Sequence, residues 1–347
     1  MKKTTVIIPN YNGIRYLENC IKALLQKSDR EASFDILIVD NGSTDGSEDV
    51  VKKIGSRILQ DGAPWRINAA RNGSGQKNMP MLSQIRLKEN TGFCGAVNVG
   101  IQAAQTPYVL LLNNDTVIRP GFVEQMTGAL EQEEMLFSVS ARMLSMEKPD
   151  RIDDAGDLYC ALGWAFARGK GKRSEAYDKP ANIFAACGGA AIYRKDLLEK
   201  LGGFDPQHFA YLEDIDVAYR ALIHGYRNRY EPSARVLHAG SGTTGSAHNP
   251  FKVRLSARNS VYLAYKNMPF LQLMLNAPFL LCGHVIKFLY FWKKHMAGDY
   301  AAGLKEGVAL CFSKEGRARK VPFRMAHMIN YVKIQWMLWV NLFRRFG

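Results

Sequence analysis

Val109-Leu110-Leu111-Leu112-Asn113-Asn114-Asp115 changes character in a single step, from four apolar residues to three polar ones. A continuous apolar run of this length fits a strand covered on both faces, the usual situation in a parallel sheet. Working outward, Val6-Ile7-Ile8 (closed by Pro9), Ile36-Leu37-Ile38-Val39 and Ile85 to Leu87 read as three more strands. Helical spacing fills the gaps: Leu17, Ile21, Leu24 and Leu25; then Val50, Val51 and Ile54 behind the start signal Ser43-Thr44-Asp45; then Ala96 to Ala104. This alternation predicts an α/β fold with a mostly parallel central sheet and flanking helices.

Each strand gives way to a polar or glycine-rich segment: Asn10-Tyr11-Asn12, Asp40-Asn41-Gly42-Ser43, Glu89-Asn90-Thr91-Gly92 and Asn113-Asn114-Asp115. Ligands of such sheets bind beyond the carboxyl ends of the strands, so these four segments are expected to form one rim. Gln60 to Met81 is rich in Gly, Asn and Ser and reads as a surface insertion. Further on, helices are expected near Lys195–Leu201 and over Asp214–His224, with a strand at Arg235-Val236-Leu237.

The chain has 347 residues, 47% of them hydrophobic and 22% charged, which suits a packed core and excludes global disorder. Its net charge of +14 is lopsided: residues 251–347 carry 16 Lys and Arg against Asp299, Glu306 and Glu315. A basic tail on a nearly neutral body points to an anionic partner, either nucleic acid or a membrane surface. None of the six cysteines forms a CxxC pair, which argues against a zinc knuckle and fits a reducing compartment. The apolar stretch after Met1-Lys2-Lys3 is too short for a signal-peptide core, so a cytoplasmic location is expected.

Several residues carry chemistry by type and position. Asp40 can accept from a nucleobase or ribose, although Asp-Asn-Gly-Ser is equally good turn chemistry. Asp115 at a strand end suits a hard divalent cation, Mg²⁺ or Mn²⁺, and also suits a turn. Glu213-Asp214, with Asp216 nearby, opens a helix; one carboxylate can take a proton from a hydroxyl, and acids in a first turn also answer the helix dipole. His238 fits a metal shell or a diphosphate contact, as well as a purely structural part. Arg258-Asn259 offers a guanidinium fork for phosphate, or a solvated helix charge.

Six segments in order resemble the family 2 glycosyltransferases, in particular their bacterial rhamnosyltransferase-like branch. They are Val6 to Gly13, Val39 to Gly46, Glu89 to Asn98, Leu112 to Thr116, Gly188 to Ala191 and Gly202 to Asp216. The resemblance implies a GT-A fold, Rossmann-like, over residues 1–267, with a nucleotide-binding half over about 1–117 and an acceptor-binding half over about 118–267. It implies that Pro9, Tyr11 and Asp40 surround the base and ribose, and that Asn90, Gly92 and Asn98 line the diphosphate side. Asn114 and Asp115 match the family's Asp-x-Asp element, with Asp115 as metal ligand; Asn113 stands where many members have Asp. Asp214 matches the catalytic base, and Gly189, Glu213 and Asp216 fall on the acceptor side. The implied activity is inverting, metal-dependent transfer of a sugar from a nucleoside-diphosphate donor, such as dTDP-rhamnose or a UDP-sugar, to a glycan or lipid-linked glycan acceptor in cell-surface polysaccharide synthesis.

Residues 268–347 mix aromatic, apolar and basic residues and are expected to form a basic amphipathic helical tail. The 20 uncharged residues 267–286 approach the length of a membrane span, but Pro269, Gln272, Asn276, Pro278 and His284 interrupt them. The expectation is peripheral attachment to the inner face of the cell membrane. Two other readings stand beside this one: a sugar-nucleotide-binding protein without turnover, and a nucleic-acid-binding protein suggested by the tail alone. The tail is too apolar for the latter, and no recognition helix or aromatic-faced basic sheet accompanies it.

Overall fold

A computed structural model describes residues 2–27, 34–60, 66–67, 80–240 and 249–346. The first half alternates β1 (Thr4–Asn10), α1 (Ile14–Lys27), β2 (Phe34–Asp40), α2 (Ser47–Gln60), β3 (Arg66–Ile67), β4 (Met81–Arg86), α3 (Gly92–Ala103) and β5 (Tyr108–Leu112). Then come β6 (Thr116–Ile118), α4 (Phe122–Glu131), β7 (Leu136–Ser145), β8 (Ile152–Asp154), β9 (Asp157–Tyr159) and β10 (Ala165–Ala167). They are followed by β11 (Ala181–Ile183), β12 (Ala190–Arg194), α5 (Lys195–Lys200), α6 (Glu213–Ile223) and β13 (Arg227–His238). Most of the expected Gln60–Met81 insertion lies outside the described residues.

One sheet runs in the order β11-β13-β7-β12-β5-β1-β2-β4-β3. From β5 to β3 every pairing is parallel, as the continuous apolar runs require. Antiparallel β12 then sits between β5 and β7, so the sheet is mixed on its second side. Val6 and Ile8 face one core layer under α1, α2 and α4, while Ile7 faces the other, under α3 and α6. That alternation is the two-residue period of a strand buried on both faces.

Four of the sheet's loops end on the same rim. Asn10 closes β1 and accepts from Asn114 Nδ2 at 2.7 Å, past the end of β5. Its own amide donates to Asp40 Oδ1 at the end of β2 (3.1 Å). Asn41 joins the loop after β4, donating to Asn90 Oδ1 (2.9 Å) and to Gly92 O (3.0 Å). Gly92 has φ +76°, and a Cβ there would meet Phe209 O at 2.4 Å, so only glycine lets the α6 approach loop close over this rim.

Beyond β13 the chain is helical: α7 (Pro250–Asn267), α8 (Phe270–Lys293), α9 (Ala297–Phe312), α10 (Lys314–Ala318) and α11 (Met328–Phe346). Tyr331, Ile334 and Leu338 of α11 bury against Tyr159, Ile215 and Tyr219 of the sheet-bearing body. Asn276 and Gln335 exchange amide hydrogen bonds of 2.7 and 3.0 Å, fixing the register of α8 against α11. α8 has the length and composition of a membrane-crossing helix, yet Pro278 lies inside it and only 17% of its apolar window is buried. Leu271 is 79% exposed, Trp292 64% and Ile329 69%, so α8 and α11 present a broad apolar face.

Candidate active site

A cavity of about 880 Å³ opens on the rim. Of the residues singled out in the sequence, Pro9, Tyr11, Asn90, Gly92, Asn114, Asp115, Gly189, Glu213, Asp214 and His238 line it. Four lie behind it instead. Asp40 is 1% exposed; its Oδ1 accepts from Asn10, and its Oδ2 lies 3.8 Å from Arg86 Nε. Arg86 lines a separate cavity of about 410 Å³ with Gly42, Ser43, Thr44, Leu87 and Lys88. Asn98 donates to Phe204 O (2.7 Å) and accepts from Phe204 N (3.0 Å), tying α3 to the loop before α6.

Asp216 points away from the cavity. Two helical positions turn a side chain by about 200°, so Asp214 and Asp216 occupy opposite sides of α6. Asp216 accepts from Arg220 Nη2 (2.7 Å), Lys266 Nζ (2.8 Å) and Asn267 Nδ2 (2.8 Å) in a fully buried network. Arg258 donates to the backbone carbonyls of Gln207 and His208, not into the cavity. Asn259, beside it, is the more consequential half of that pair.

Asn259 holds the loop that delivers Glu213-Asp214. Its Nδ2 donates to His208 O (2.9 Å), Ala210 O (2.8 Å) and Tyr211 O (2.8 Å). Phe209, Tyr211 and Leu212 all have positive φ (62°, 70° and 66°), a costly conformation for residues with side chains. Asn259 and the Cys94 N–H, which donates to Phe209 O (3.1 Å), compensate that strain.

Beside Asp115, His238 bridges two carboxylates. Its Nδ1 lies 2.7 Å from Asp153 Oδ2 and its Nε2 lies 3.3 Å from Asp115 Oδ1. Burial opposes a charged imidazole, but Asp115 and Asp153 outweigh it and push His238 up to about 9. Burial likewise opposes charge on Asp153, yet His238 and Lys170 hold it down to about 2. A carboxylate on one ring nitrogen is the orienting contact usual behind a metal-ligating histidine. Asp115 and His238, the latter once a cation displaces its Nε2 proton, fit Mg²⁺ or Mn²⁺.

Around Asp214, acids gather. Asp214 Oδ1 accepts from Ile215 N (2.7 Å) and hydrogen-bonds Asp157; burial still raises it above the ordinary carboxylate range. Burial, with Asp214 beside it, pushes Glu213 up to about 8, and among the described residues Glu213 Oε2 has no partner. Asp157 is raised well above its usual value by burial, then by Asp154 and Asp214. Asp154, Asp157 and Cys187 bring ligand atoms within 4.8 Å of one another, but burial keeps the Cys187 thiol protonated. Asp157 and Asp153 escape a reading of the sequence; the one signal there is the acid-rich run Asp153-Asp154-Ala155-Gly156-Asp157.

With this geometry in place, the comparisons are specific. Glycosyl transferase family 2 matches residues 5–202, and Glycosyl transferase family group 2 matches residues 108–298. N-acetylglucosaminyl-diphospho-decaprenol L-rhamnosyltransferase of Mycobacterium tuberculosis is 26% identical over 256 residues, 69% of this chain and 77% of that protein. Poly-beta-1,6-N-acetyl-D-glucosamine synthase of Staphylococcus aureus is 23% identical over 230 residues, 66% of this chain and 48% of that protein. Among solved structures, GalNAc-T7 with UDP, GalNAc and Mn²⁺ superposes with a TM-score of 0.57 at 14% identity, covering 77% of this chain and 48% of that one. A mannosyltransferase from Pyrobaculum calidifontis with GDP-Man and Mn²⁺ gives 0.52 at 18% identity, covering 96% and 87%. Both likenesses are of fold, and the fold is GT-A.

Proposed function

This chain belongs to glycosyl transferase family 2, and on that premise we propose that it transfers a sugar, with inversion, from a nucleoside-diphosphate donor to a hydroxyl of a lipid-linked glycan in cell-surface polysaccharide synthesis. The observation that carries the reading is that Asp115 and Asp214, more than ninety residues apart in sequence, line one cavity. The acceptor class is taken from the diphospho-decaprenol substrate in the name of the mycobacterial relative. An L-rhamnosyl donor is the sugar that goes with it.

In this reading Pro9, Tyr11 and Asn90 border the nucleotide, with Asp40 behind Asn10 fixing the strand ends. Asp115 and His238 would hold a divalent cation, whose chemistry when bound is to neutralise the departing diphosphate. Asp214 takes the proton of the attacking hydroxyl, a contribution of about 10²–10⁴ in rate. The oxygen attacks the anomeric carbon opposite the leaving group, and the diphosphate departs without needing a proton. Glu213, carrying its own proton at neutral pH, donates toward the acceptor instead of competing as base. The exposed apolar faces of α8 and α11, set among Lys and Arg, rest on the cytoplasmic surface of the membrane.

The test pairs binding with turnover. Nucleoside diphosphates with Mn²⁺ are expected to raise the melting temperature of both the parent and Asp214→Asn, while only the parent transfers sugar. Transfer by Asp214→Asn at the parental rate would remove Asp214 as the base. Full transfer in EDTA would remove the cation.

A further inference from the structure

The strand pair β9–β10 links the cavity to the apolar helices. Asp157 opens it beside Asp214, and Phe166 on its return strand lines the cavity wall. Trp164, at its turn, donates from Nε1 to Gly283 O of α8 (3.2 Å) and packs against Phe346 of α11 (6.4 Å between centroids). The contacts of Gln272 and Asn276 with Tyr331 and Gln335 recur one bundle length later, where Gly283 and Lys287 meet Trp164 beside Phe346. α8 and α11 therefore run side by side in the same direction, and this strand pair packs against the second half of α8 and the end of α11.

Two cations converge there. Lys287 Nζ stands 5.7 Å from the centroid of Trp164, and the Arg345 guanidinium stands 5.6 Å from that of Phe166. Among the described residues neither makes an ion pair, and each adds to the other's charge. Burial, then the nearby Arg345, pushes Lys287 down to about 8, a cost that an anion would relieve. The outer side of α8 at this level is apolar and open, with Val285, Ile286 and Leu289 exposed. Lys293 and Lys294 are exposed, as Arg345 is, but among the described residues they make no ring contact with Trp164 or Phe166.

We propose that Lys287 and Arg345, flanking Trp164 and Phe166, form the subsite for the diphosphate of an isoprenoid-linked acceptor. The lipid lies along α8, and the sugar passes Phe166 toward Asp214. The proposal rests on the glycosyltransferase reading above and deepens it, since it names where the acceptor's charge is held. A bilayer headgroup could meet the same cations; what sets these two apart is that Trp164 and Phe166 hold them on the strand pair whose Phe166 lines the cavity.

Farnesyl diphosphate is the probe, titrated into the full-length protein by calorimetry. Inorganic pyrophosphate, phosphatidylglycerol vesicles and a nucleoside diphosphate with Mn²⁺ run alongside. The double variant Lys287→Gln/Arg345→Gln is expected to bind farnesyl diphosphate at least about tenfold more weakly, with nucleoside diphosphate and vesicle binding unchanged. Lys293→Gln/Lys294→Gln is expected to bind farnesyl diphosphate like the parent, and Lys287→Arg/Arg345→Lys to retain most of the affinity. Parental affinity in the Gln pair overturns the subsite. So does an equal loss in the Arg/Lys exchange, which would make the role structural. A loss matched on vesicles and by the Lys293/Lys294 pair assigns the cations to bilayer headgroups. If the parent binds farnesyl diphosphate but no nucleoside diphosphate, the donor reading fails and the subsite stands.

Discussion

The side-chain amide of Asn259 donates to the carbonyl of Tyr211 over 2.8 Å, two residues before the carboxylate pair that opens α6. The same nitrogen serves His208 O and Ala210 O. One buried amide on α7 thus sets the path of the strained segment around Tyr211, and through it the aim of Asp214.

Replacing Asn259 by Ala removes the donor to the half-buried carbonyls of Ala210 and Tyr211, while His208 O keeps the Arg258 guanidinium. The expected cost is about 2–3 kcal/mol of stability. Because the loop positions Asp214, the proposed base, and not the proposed nucleotide contacts, kcat should fall at least about tenfold while nucleoside-diphosphate affinity holds. Steady-state kinetics and denaturant unfolding check both parts. A stable variant with parental kcat would mean that the loop holds its shape without Asn259.

With Asp214 as the proposed base, Asp157 tunes it through its proton. Burial, Asp154 and Asp214 keep Asp157 protonated well above the ordinary carboxylate range, so it donates to Asp214 and stabilises the charged form of the base. Asp157→Ala removes that donor, the pKa of Asp214 rises, and the acid limb of the transfer rate should move to higher pH. Asp157→Asn keeps an N–H donor and should leave the limb near its parental position. The pH dependence of kcat separates the two; superimposable limbs for Ala and parent would sever Asp157 from Asp214.

Much of this is legible in the sequence, and the reasons are local. β1, β2 and β5 announce themselves because both faces are buried and the apolar runs are unbroken. The rim is built from the residues directly after them, which is why Asp115 stands out. Ser43-Thr44-Asp45 reads as the start of a helix, yet α2 starts at Ser47. Asp45 accepts from Ser47 N (3.0 Å) and also from Ile14 N (2.8 Å), serving two helices from one turn. The second half of the sheet is harder to read, since β12 and β7 pair across some fifty residues and β13 shifts register between Glu231 and Arg235. Asp157 reaches the base only because β9–β10 folds back, a long-range fact with no local period. Arg258 has the right chemistry for phosphate, but nearby carbonyls claim it first.

The buried ionic network behind α6 yields the last expectation. Lys266 Nζ sits between Asp205 Oδ2 (2.7 Å) and Asp216 Oδ2 (2.8 Å) and is 4% exposed. Burial opposes charge on Asp216, but Arg220 and then Lys266 hold it well below its usual value; burial opposes charge on Asp205 too, and Lys266 lowers it. Carboxylates with depressed pKa stabilise the fold above their unfolded pKa, and that contribution is lost as pH falls through the folded value. Lys266→Met leaves two buried carboxylates undercompensated and should cost about 3–5 kcal/mol at pH 7. Both acids then bind protons more readily in the fold, so the deficit should shrink as pH falls toward about 4. Urea unfolding of parent and variant at several pH values measures the gap. A gap that stays constant between pH 7 and pH 4 would mean that Lys266 contributes packing and not charge.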